Sequence, residues 1–313
     1  MKMFDFIKNR KLFALISAAI LVVGLIVNLI LGVEMDISFK GGTLLKYSYE
    51  GTIDSAAVES FVQSKLPGAE VDITENGENG MQVISISMAD DLDAETQTTF
   101  KDTLAKQFPD NKVKELSTNS LQPSNGRTFF LKCLAAIVLA SAILMLYVGV
   151  RFRRIGGFSA GAMALLALLH DILISYFVFV IFRIPLDDNF VAVVLTLLGY
   201  SLNDTIVIYD RIRENRKKMG DKSSISDIVN LSLNQSLSRN INTSLCVFLA
   251  VGTVTVVAMV TSLESIISFA VPLTFGVIAG FFSSTFLCTP LWALWVEYSE
   301  KRAALKGKKS GKK

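Results

Sequence analysis

Six stretches of this chain are long and apolar enough to cross a lipid bilayer, and they constrain its fold more than any other feature. They cover residues 12–31, 130–150, 158–182, 190–209, 241–260 and 267–296. A helix needs about 20 apolar residues to span the hydrocarbon core. Inside lipid the backbone must satisfy its own hydrogen bonds, which a helix does within one segment. The sequence therefore predicts a polytopic α-helical membrane protein with six transmembrane helices.

Composition supports a membrane protein and excludes a soluble globular domain of this length. Apolar residues make up 51% of the 313 positions, charged residues only 19%, and the mean hydropathy is +0.47. Soluble domains carry about 25% charged residues. The cysteines, Cys133, Cys246 and Cys288, all lie in apolar segments, so no disulfide framework and no cysteine-based metal or redox site is predicted. The first segment lacks a small-residue cleavage site, which predicts an uncleaved helix.

The charges are separated along the chain in a way that predicts its topology. Residues 32–128 carry 16 acidic and 8 basic residues, and the rest of the chain carries 12 acidic and 23 basic residues. Short basic segments stay in the cytosol, so both termini are predicted to be cytosolic. The predicted regions are a cytosolic amino terminus with helix 1 (1–31), an extracytoplasmic domain (32–128), a five-helix bundle (129–298) with a cytosolic segment (210–239), and a basic cytosolic tail (299–313).

The polar segment between the first two helices has the pattern of a folded α+β domain. Alternating and helical apolar spacings predict strands at 37–49, 70–73, 81–88 and 112–116, and helices at 54–66 and 94–108. Residues 37–49 form either a pair of strands or one strand broken at Gly41-Gly42, and ENGENG at 75–80 predicts a turn. The order β-α-β-β-α-β predicts a ferredoxin-like sandwich.

An Asn-Asp pair interrupts the fourth apolar segment, in the sequence LLGYSLNDTIVIYDRIREN at residues 197–215. A carboxylate inside a transmembrane helix costs roughly 2.5–3.5 kcal/mol on insertion scales, and it usually faces a bundle interior or a wet cavity. Asp204, with the adjacent Asn203, is therefore the first candidate for a proton or ion pathway. Two other interpretations stay open: Asp204 extends to the membrane surface, or it is a structural partner of a neighbouring helix.

Three further polar groups compete for a functional role. His170, the only histidine, and Asp171 lie near the middle of the third apolar segment. An imidazole titrates near neutral pH, so proton transfer and a helix–helix hydrogen bond both stay open for His170. Asp171 is predicted to serve either an ion pathway or an interhelical contact. Arg239, at the start of the fifth segment, is predicted to be a counter-ion of Asp204 or an anchor at the headgroups.

Rows of small residues predict close contacts between helices, because small side chains let backbones approach in lipid. The predicted packing positions are Ala160, Ala164 and Ala167 on the third segment, Gly199 on the fourth, and Gly276, Gly280 and Ser284 on the sixth. Asp171 continues the alanine row, so it should point at another helix and not at lipid.

Enzyme chemistry is not supported by the sequence. There is no P-loop, no placed Ser/His/Asp set and no zinc spacing. No metal and no cofactor is predicted. What remains is a set of ionisable groups inside a membrane, which is the material of a proton relay or an ion-coupled motor.

Five motifs resemble the SecD/SecF family of protein-export membrane proteins, within the resistance-nodulation-division (RND) superfamily, and in particular its smaller, SecF-type members. They are DISFKGGT at 36–43, HD at 170–171, GYSLNDTIVIYDRIREN at 199–215, NQSLSRNINTS at 234–244 and FGVIAGFFSS at 275–284. The resemblance covers essentially the whole chain in order, and the motif at 199–215 is highly specific.

The resemblance implies a function and a set of partners. SecF-type members pair with SecD to give twelve spans in the bacterial cytoplasmic membrane, and the complex uses the proton gradient to promote preprotein export on the outer side. It implies that Asp204 is the proton-path acid and Arg239 its arginine. The resemblance also implies that Asp36, Gly41, Gly42 and Thr43 form the family motif that follows helix 1. The implied partners are SecD, the Sec channel with its accessory subunits, unfolded preproteins and membrane lipid, without nucleic acid.

Two other functions stay open at this stage. Half of an RND-type exporter of small molecules or lipids would share the membrane layout, although residues 32–128 are few for its external domain. A structural scaffold would use the buried charges only to pair helices. The sequence does not decide whether the coupling ion is a proton or sodium.

Overall fold

The structure, a computed structural model, describes residues 3–74, 82–90, 92–121, 123–220, 223–261 and 263–310. In chain order the helices are α1 (Arg10–Leu31), α2 (Ile37–Lys40), α3 (Ser55–Lys65), α4 (Ala94–Gln107), α5 (Pro123–Arg151), α6 (Gly157–Ile181), α7 (Asp188–Met219), α8 (Ile225–Thr261), α9 (Glu264–Phe282) and α10 (Thr289–Ser310). The strands are β1 (Gly42–Tyr49), β2 (Glu70–Thr74), β3 (Gln82–Met88) and β4 (Lys114–Leu121). The turn predicted at 75–80 lies outside the described residues.

The prediction of six transmembrane helices is confirmed. α1, α5, α6, α7, α8 and the pair α9–α10 are long and apolar enough to cross a membrane. α1 and α6 begin and end close to the bounds of their apolar segments, because charged or turn-forming residues flank each segment on both sides. The chain is therefore a mostly helical multi-pass membrane protein.

α7 and α8 extend well beyond the apolar segments that predict them. They contain 32 and 37 residues, which at 1.5 Å per residue gives lengths of about 48 and 56 Å. The hydrocarbon core is only about 30 Å thick. The extra turns carry most of the charged residues between 210 and 239, so these residues form the ends of two long helices. Side-chain pairs one turn apart, such as Arg211–Glu214 and Lys218–Glu214, stabilise the extension of α7.

α6, α7 and α9 form the centre of the bundle. About half of each of these spans is buried inside the chain, whereas α1, α5 and α8 bury little. The alanine face of α6 is buried as its spacing predicts, with Ala160, Ala164 and Ala167 each at most 3% exposed. The outer helices expose apolar side chains along their lengths, which suits contact with lipid or with another membrane protein.

The last span is interrupted in its middle. α9 contains Pro272 and is followed by a π-helical turn, Ser283–Cys288, before α10 begins. We call this segment the π-turn. Such turns are rare and often occur at functional sites. Here the π-turn directs the side chains of Ser283 and Ser284 toward α6 and α7.

The polar domain, residues 42–121, is an antiparallel sheet with two helices. The strand order is β2-β3-β1-β4, and all three pairings are antiparallel. α3 and α4 supply Val58, Val62, Phe100 and Leu104 to a core that they share with β1 and β3. Asp93 caps α4 by accepting a hydrogen bond from the Thr96 amide, which satisfies one free amide of the first turn.

The first predicted strand is wrong at its start. Ile37–Lys40 forms a helical turn, and β1 begins only at Gly42. Gly41 and Gly42 make the change of direction possible because their φ angles are 76° and 120°, values that side-chain-bearing residues rarely adopt. A Cβ atom at Gly42 would also lie 2.2 Å from the backbone oxygen of Met88.

The segment between α1 and α2 is joined to the loop between α6 and α7. Met35 and Leu186 form a parallel β-bridge. The Asp36 amide donates to Leu186 O at 3.1 Å, and the Leu186 amide donates to Glu34 O at 2.8 Å. Arg183 forms an ion pair with Glu34. Because α7 begins two residues after Leu186, this junction attaches the start of the polar domain to the start of α7.

Candidate ion-relay site in the membrane bundle

A fully buried carboxylate lies at the centre of the bundle. Asp171 on α6 is 0% exposed. Its Oδ2 accepts hydrogen bonds from Ser201 Oγ on α7 at 2.6 Å and from Ser283 Oγ in the π-turn at 2.9 Å. Its Oδ1 lies 3.1 Å from Nδ1 of His170. Hydrogen bonds offset the cost of burying a carboxylate, so Asp171 holds α6, α7 and the π-turn together.

Hydroxyl groups extend this site along α7. Ser284 Oγ donates to the backbone oxygen of Ser201 at 3.1 Å and accepts a hydrogen bond from Thr205 Oγ1 at 2.9 Å. All of these side chains are at most 1% exposed. We call Asp171, Ser201, Thr205, Ser283 and Ser284 the Asp171 cluster. It joins three elements through hydrogen bonds, and it combines side chains that are far apart in the sequence.

Glycines on α9 permit the approach that forms this cluster. A Cβ atom at Gly280 would lie 3.1 Å from Ser201 Cβ, and one at Gly276 would lie 2.5 Å from Leu197 Cδ1. The third predicted packing position on α9 and the π-turn, Ser284, contributes its hydroxyl group as described above. Gly199 is different, because a Cβ atom there would meet nothing within 4 Å. The close helix contact predicted at Gly199 does not occur within the described part of this chain.

Asp204 belongs to a second site, on the side of α7 that faces α8. The side chain is 1% exposed, and its Oδ2 accepts a hydrogen bond of 3.2 Å from Ser244 Oγ. The hydroxyl group of Tyr200, one turn earlier on α7, is buried without a hydrogen-bond partner among the described residues. Asp204 therefore lies inside the protein and not at the membrane surface, with far fewer hydrogen bonds than Asp171.

Asn203 and Arg239 lie outside this second site. The Asn203 side chain is exposed on the outer surface of α7. Arg239 is also exposed, and it forms no ion pair within 4.0 Å of Asp204 in the part of the chain that the structure describes. Arg239 is five residues before Ser244 on α8, which places it about 7.5 Å further along the helix axis.

A cavity lined by polar side chains lies between the charged ends of α7 and α8, and Arg239 is part of its lining. We call it the polar cavity. The cavity has a volume of about 520 Å³. Its lining residues are Val207, Asp210, Arg211, Arg213, Glu214, Lys217, Gln235, Ser236 and Arg239. The acidic and basic side chains partly neutralise one another, with Arg213 and Asp210 2.9 Å apart. The cavity is thus a mixed-charge, water-compatible space at one end of the α7–α8 contact.

His170 has one hydrogen-bonding atom engaged and one free. Its Nδ1 contacts Asp171, whereas its Nε2 is buried without a partner among the described residues. The ring lies beside Phe282 of α9, with centroids 6.3 Å apart. His170 therefore supports the Asp171 cluster and does not contact Asp204.

The motif after α1 lies at the junction and the first strand, apart from both carboxylate sites. Asp36 takes part in the β-bridge, and Gly41 and Gly42 form the turn into β1. Thr43 is fully buried; its Oγ1 donates to Asp90 O at 3.0 Å and accepts from the Leu92 amide at 3.0 Å. These residues therefore shape the attachment of the polar domain.

Several residues of the two sites were not singled out in the sequence. Ser201, Ser283 and Thr205 bind within the Asp171 cluster, and Ser244 binds Asp204. Serine and threonine are common at helix contacts in membranes, so their presence alone carries little information. The available signal was position: Ser201 is three residues before Asp204, and Ser283 is three residues after Gly280. Across the described residues, no three His, Cys, Asp or Glu side chains are grouped to hold a metal ion.

Comparison with known proteins places this architecture in a family. A family model described as "Protein export membrane protein SecD/SecF, C-terminal" matches residues 99–298, more than half of the chain. The protein translocase subunit SecF of Alicyclobacillus acidocaldarius is 33% identical over 303 residues, covering 96% of this chain and 95% of the relative. The protein translocase subunit SecDF of Bacillus subtilis is 29% identical over 93% of this chain, which spans only 38% of that relative.

A solved structure shares the fold. The crystal structure of SecDF, a translocon-associated membrane protein from Thermus, superposes with a TM-score of 0.79 at 23% identity. The match covers 95% of this chain and 39% of the Thermus chain. SecDF chains thus contain a region equivalent to this whole chain together with a longer additional part. The motifs, the six-helix architecture and these matches agree, and the chain belongs to the SecD/SecF family of protein-export membrane proteins.

Proposed function

We propose that this chain is a SecF-type accessory subunit of Sec protein translocation that couples preprotein export to the proton-motive force. In this role it is not an enzyme. Its relatives are named as translocase subunits, which favours this function over an RND-type exporter. The relative from Bacillus subtilis is named SecDF, and this chain matches 38% of its length, which supports a SecD-type partner for this chain. The exposed apolar faces of α1, α5 and α8 offer surface for that partner and for lipid.

The observation that carries the proton role is the contrast between the two buried carboxylates. Asp171 has three hydrogen-bond partners, whereas the described residues give Asp204 only the hydroxyl group of Ser244. A carboxylate with few donors in a medium of low dielectric constant has little to stabilise its charge. Asp204 is therefore the group whose protonation can change at modest cost, and Asp171 is the group that holds the bundle.

The membrane potential supplies enough energy for such a change. Each elementary charge that crosses the full potential releases about 2.3 kcal/mol per 100 mV. One or two protons per cycle can therefore bias a pair of conformations that differ by a few kcal/mol. The coupling ion is proposed to be the proton, since the described residues around Asp204 offer hydroxyl groups and a single carboxylate.

The polar domain is proposed to be a ferredoxin-like domain on the outer side of the bacterial cytoplasmic membrane. The β-α-β-β-α-β order, with strand order β2-β3-β1-β4, supports the ferredoxin-like assignment. The excess of basic residues outside 32–128 supports cytosolic termini. The junction of Met35 with Leu186 would transmit movement of α7 to this domain, which would act on unfolded preproteins together with the partner and the Sec channel.

The test replaces Asp204 by asparagine, which keeps the size of the side chain and removes its titration. In inverted membrane vesicles containing the complete complex, Asp204→Asn is expected to reduce preprotein transport to the level that wild type shows with an uncoupler. The matched control is Asp227→Asn, the same change at an exposed carboxylate on α8, which should keep the gradient dependence. Wild-type gradient stimulation in Asp204→Asn would contradict the proposal and favour a scaffold role.

A further inference from the structure

A column of buried polar side chains runs along one face of α8. Ser236, Asn240 and Ser244 are spaced four residues apart, and they are 5%, 1% and 8% exposed. Residues at this spacing lie above one another on a helix. Ser236 Oγ donates to the backbone oxygen of Ser232, and Ser244 Oγ donates to Asp204. The column therefore ends at the carboxylate to which we assign the proton step.

Asn240, in the middle of the column, is the exception in hydrogen bonding. Both its Oδ1 and its Nδ2 are buried and have no hydrogen-bond partner among the described residues. A primary amide offers two donor hydrogens and an acceptor oxygen. Buried polar groups in native proteins almost always bind protein groups or ordered water. No described residue places a polar atom within hydrogen-bond distance of this amide.

The other end of the column opens into the polar cavity. Ser236 is one of the residues lining the cavity, and Arg239, next to Asn240 in sequence, is another. Asn240 thus lies one helical turn from a space that can hold water and one turn from Ser244. A buried site that is polar and connected to water is where ordered water binds, whereas apolar cavities stay dry.

We propose that Asn240 binds water molecules that connect the polar cavity with Asp204, so that the carboxyl group exchanges its proton with the cytosol along the α7–α8 contact. The inference rests on the proposed function and assigns the path of the proton on the cytosolic side. The Asp204 carboxyl group gives its proton to the nearest water, each water passes one proton to the next, and the last proton enters the cavity. The waters are regenerated and the carboxylate is left charged, stabilised by Ser244.

The first experiment measures water access without relying on proton coupling. In the complete complex, with Cys133, Cys246 and Cys288 replaced by alanine, single cysteines are placed by Asn240→Cys and, as the matched control, Ile241→Cys. Ile241 is the next residue of α8, and its apolar side chain is 43% exposed. The probe is 2-sulfonatoethyl methanethiosulfonate, which reacts with thiolates, and these form only where water is present.

In inverted vesicles the cysteine at position 240 is expected to react at least ten times faster than the cysteine at position 241. Equal rates, or no reaction at 240, would overturn the proposal. A second pair of variants covers the case in which Asn240→Cys disturbs folding. In a Ser244→Cys background, Asn240→Leu should lower the reaction rate at position 244 at least fivefold, and Asn240→Ser should preserve it. An unchanged rate with leucine would overturn the proposal as well.

The two proposals fail in different ways. If Asp204→Asn keeps gradient-dependent transport while position 240 reacts rapidly, the proton role of Asp204 is wrong and the hydrated column stands. If Asp204→Asn abolishes coupling while position 240 is inert, the proton role stands and this path is wrong. Transport provides the final comparison. Asn240→Leu should slow gradient-driven export severalfold, whereas Asn240→Ser should keep it near the wild-type rate.

Discussion

Replacing Gly276 by alanine tests the contact between α9 and α7 on which the buried sites depend. A Cβ atom at this position lies 2.5 Å from Leu197 Cδ1 and 2.7 Å from its Cδ2. Carbon atoms in contact are normally about 3.5–4.0 Å apart. Leu197 is fully buried in a cluster with Val193, Leu273 and Val277, so it cannot move aside without disturbing these neighbours.

The expected cost follows from two opposed effects. Adding a methyl group to a well-packed site typically costs 1–3 kcal/mol, whereas alanine stabilises a helix over glycine by roughly 0.5–1 kcal/mol. Gly276→Ala should therefore destabilise the protein by about 1–2 kcal/mol. Gly252 on α8 is the matched control, because a Cβ atom there would meet nothing within 4 Å. Gly252→Ala should be neutral or slightly stabilising.

The measurement is thermal unfolding of both variants in the same detergent, each as the complete complex. For a chain of 313 residues, about 1 kcal/mol shifts Tm by roughly 1–2 °C. Gly276→Ala should therefore unfold roughly 2–4 °C below Gly252→Ala. Equal unfolding temperatures for the two variants would refute the close contact of α9 with α7.

Two further predictions concern the Asp171 cluster and the polar domain. Ser201→Ala removes the shortest hydrogen bond to Asp171 and should cost about 1–2 kcal/mol in the same unfolding assay. The control is Thr196→Ala, which removes an exposed hydroxyl group on α7. A loss of stability no larger than that of the control would contradict the role of the cluster. In the polar domain, the hydrogen bond and charge of Lys112 lower the pKa of Glu50 below its ordinary 4.5. The ion pair therefore contributes stability that is present above pH 4.5 and is lost as pH falls through the lowered pKa. Lys112→Ala should raise the Glu50 pKa in an NMR titration, and an unchanged pKa would show that the ion pair is not formed.

The membrane spans could be predicted from the sequence because lipid imposes a strict length and composition on each helix. The continuation of α7 and α8 through residues 210–239 could not, since charged helices of this kind depend on neighbours such as the contact of Asn215 with Ser232. The strand predicted from residue 37 failed because ISFK alternates polar and apolar residues, as a strand does. The backbone instead follows Gly41 and Gly42, whose positive φ angles require the turn.

The carboxylates could be predicted as buried, but their partners could not. Hydrogen bonding to Asp171 depends on the π-turn, which orients Ser283 by widening one helical turn and leaves no pattern in the sequence. Arg239 was predicted to be either a counter-ion of Asp204 or an anchor at the headgroups, and the sequence did not decide between the two. Arg239 lies five residues before Ser244, the hydrogen-bond donor to Asp204. At 3.6 residues per turn this spacing places Arg239 on a different face of α8, where its side chain is exposed.

The two carboxylates divide the bundle into a fixed part and an adjustable part. Asp171 binds α7 and the π-turn through Ser201 and Ser283, so a relative movement of these elements would break hydrogen bonds to a buried charge, which is costly. The only hydrogen bond of Asp204 to α8 among the described residues comes from Ser244, and little of the membrane span of α8 is buried. A change of protonation at Asp204 is therefore expected to shift α8 against a rigid unit of α6, α7 and the π-turn. Since the junction at Leu186 attaches the polar domain to the start of α7, we expect that domain to move with the rigid unit relative to α8.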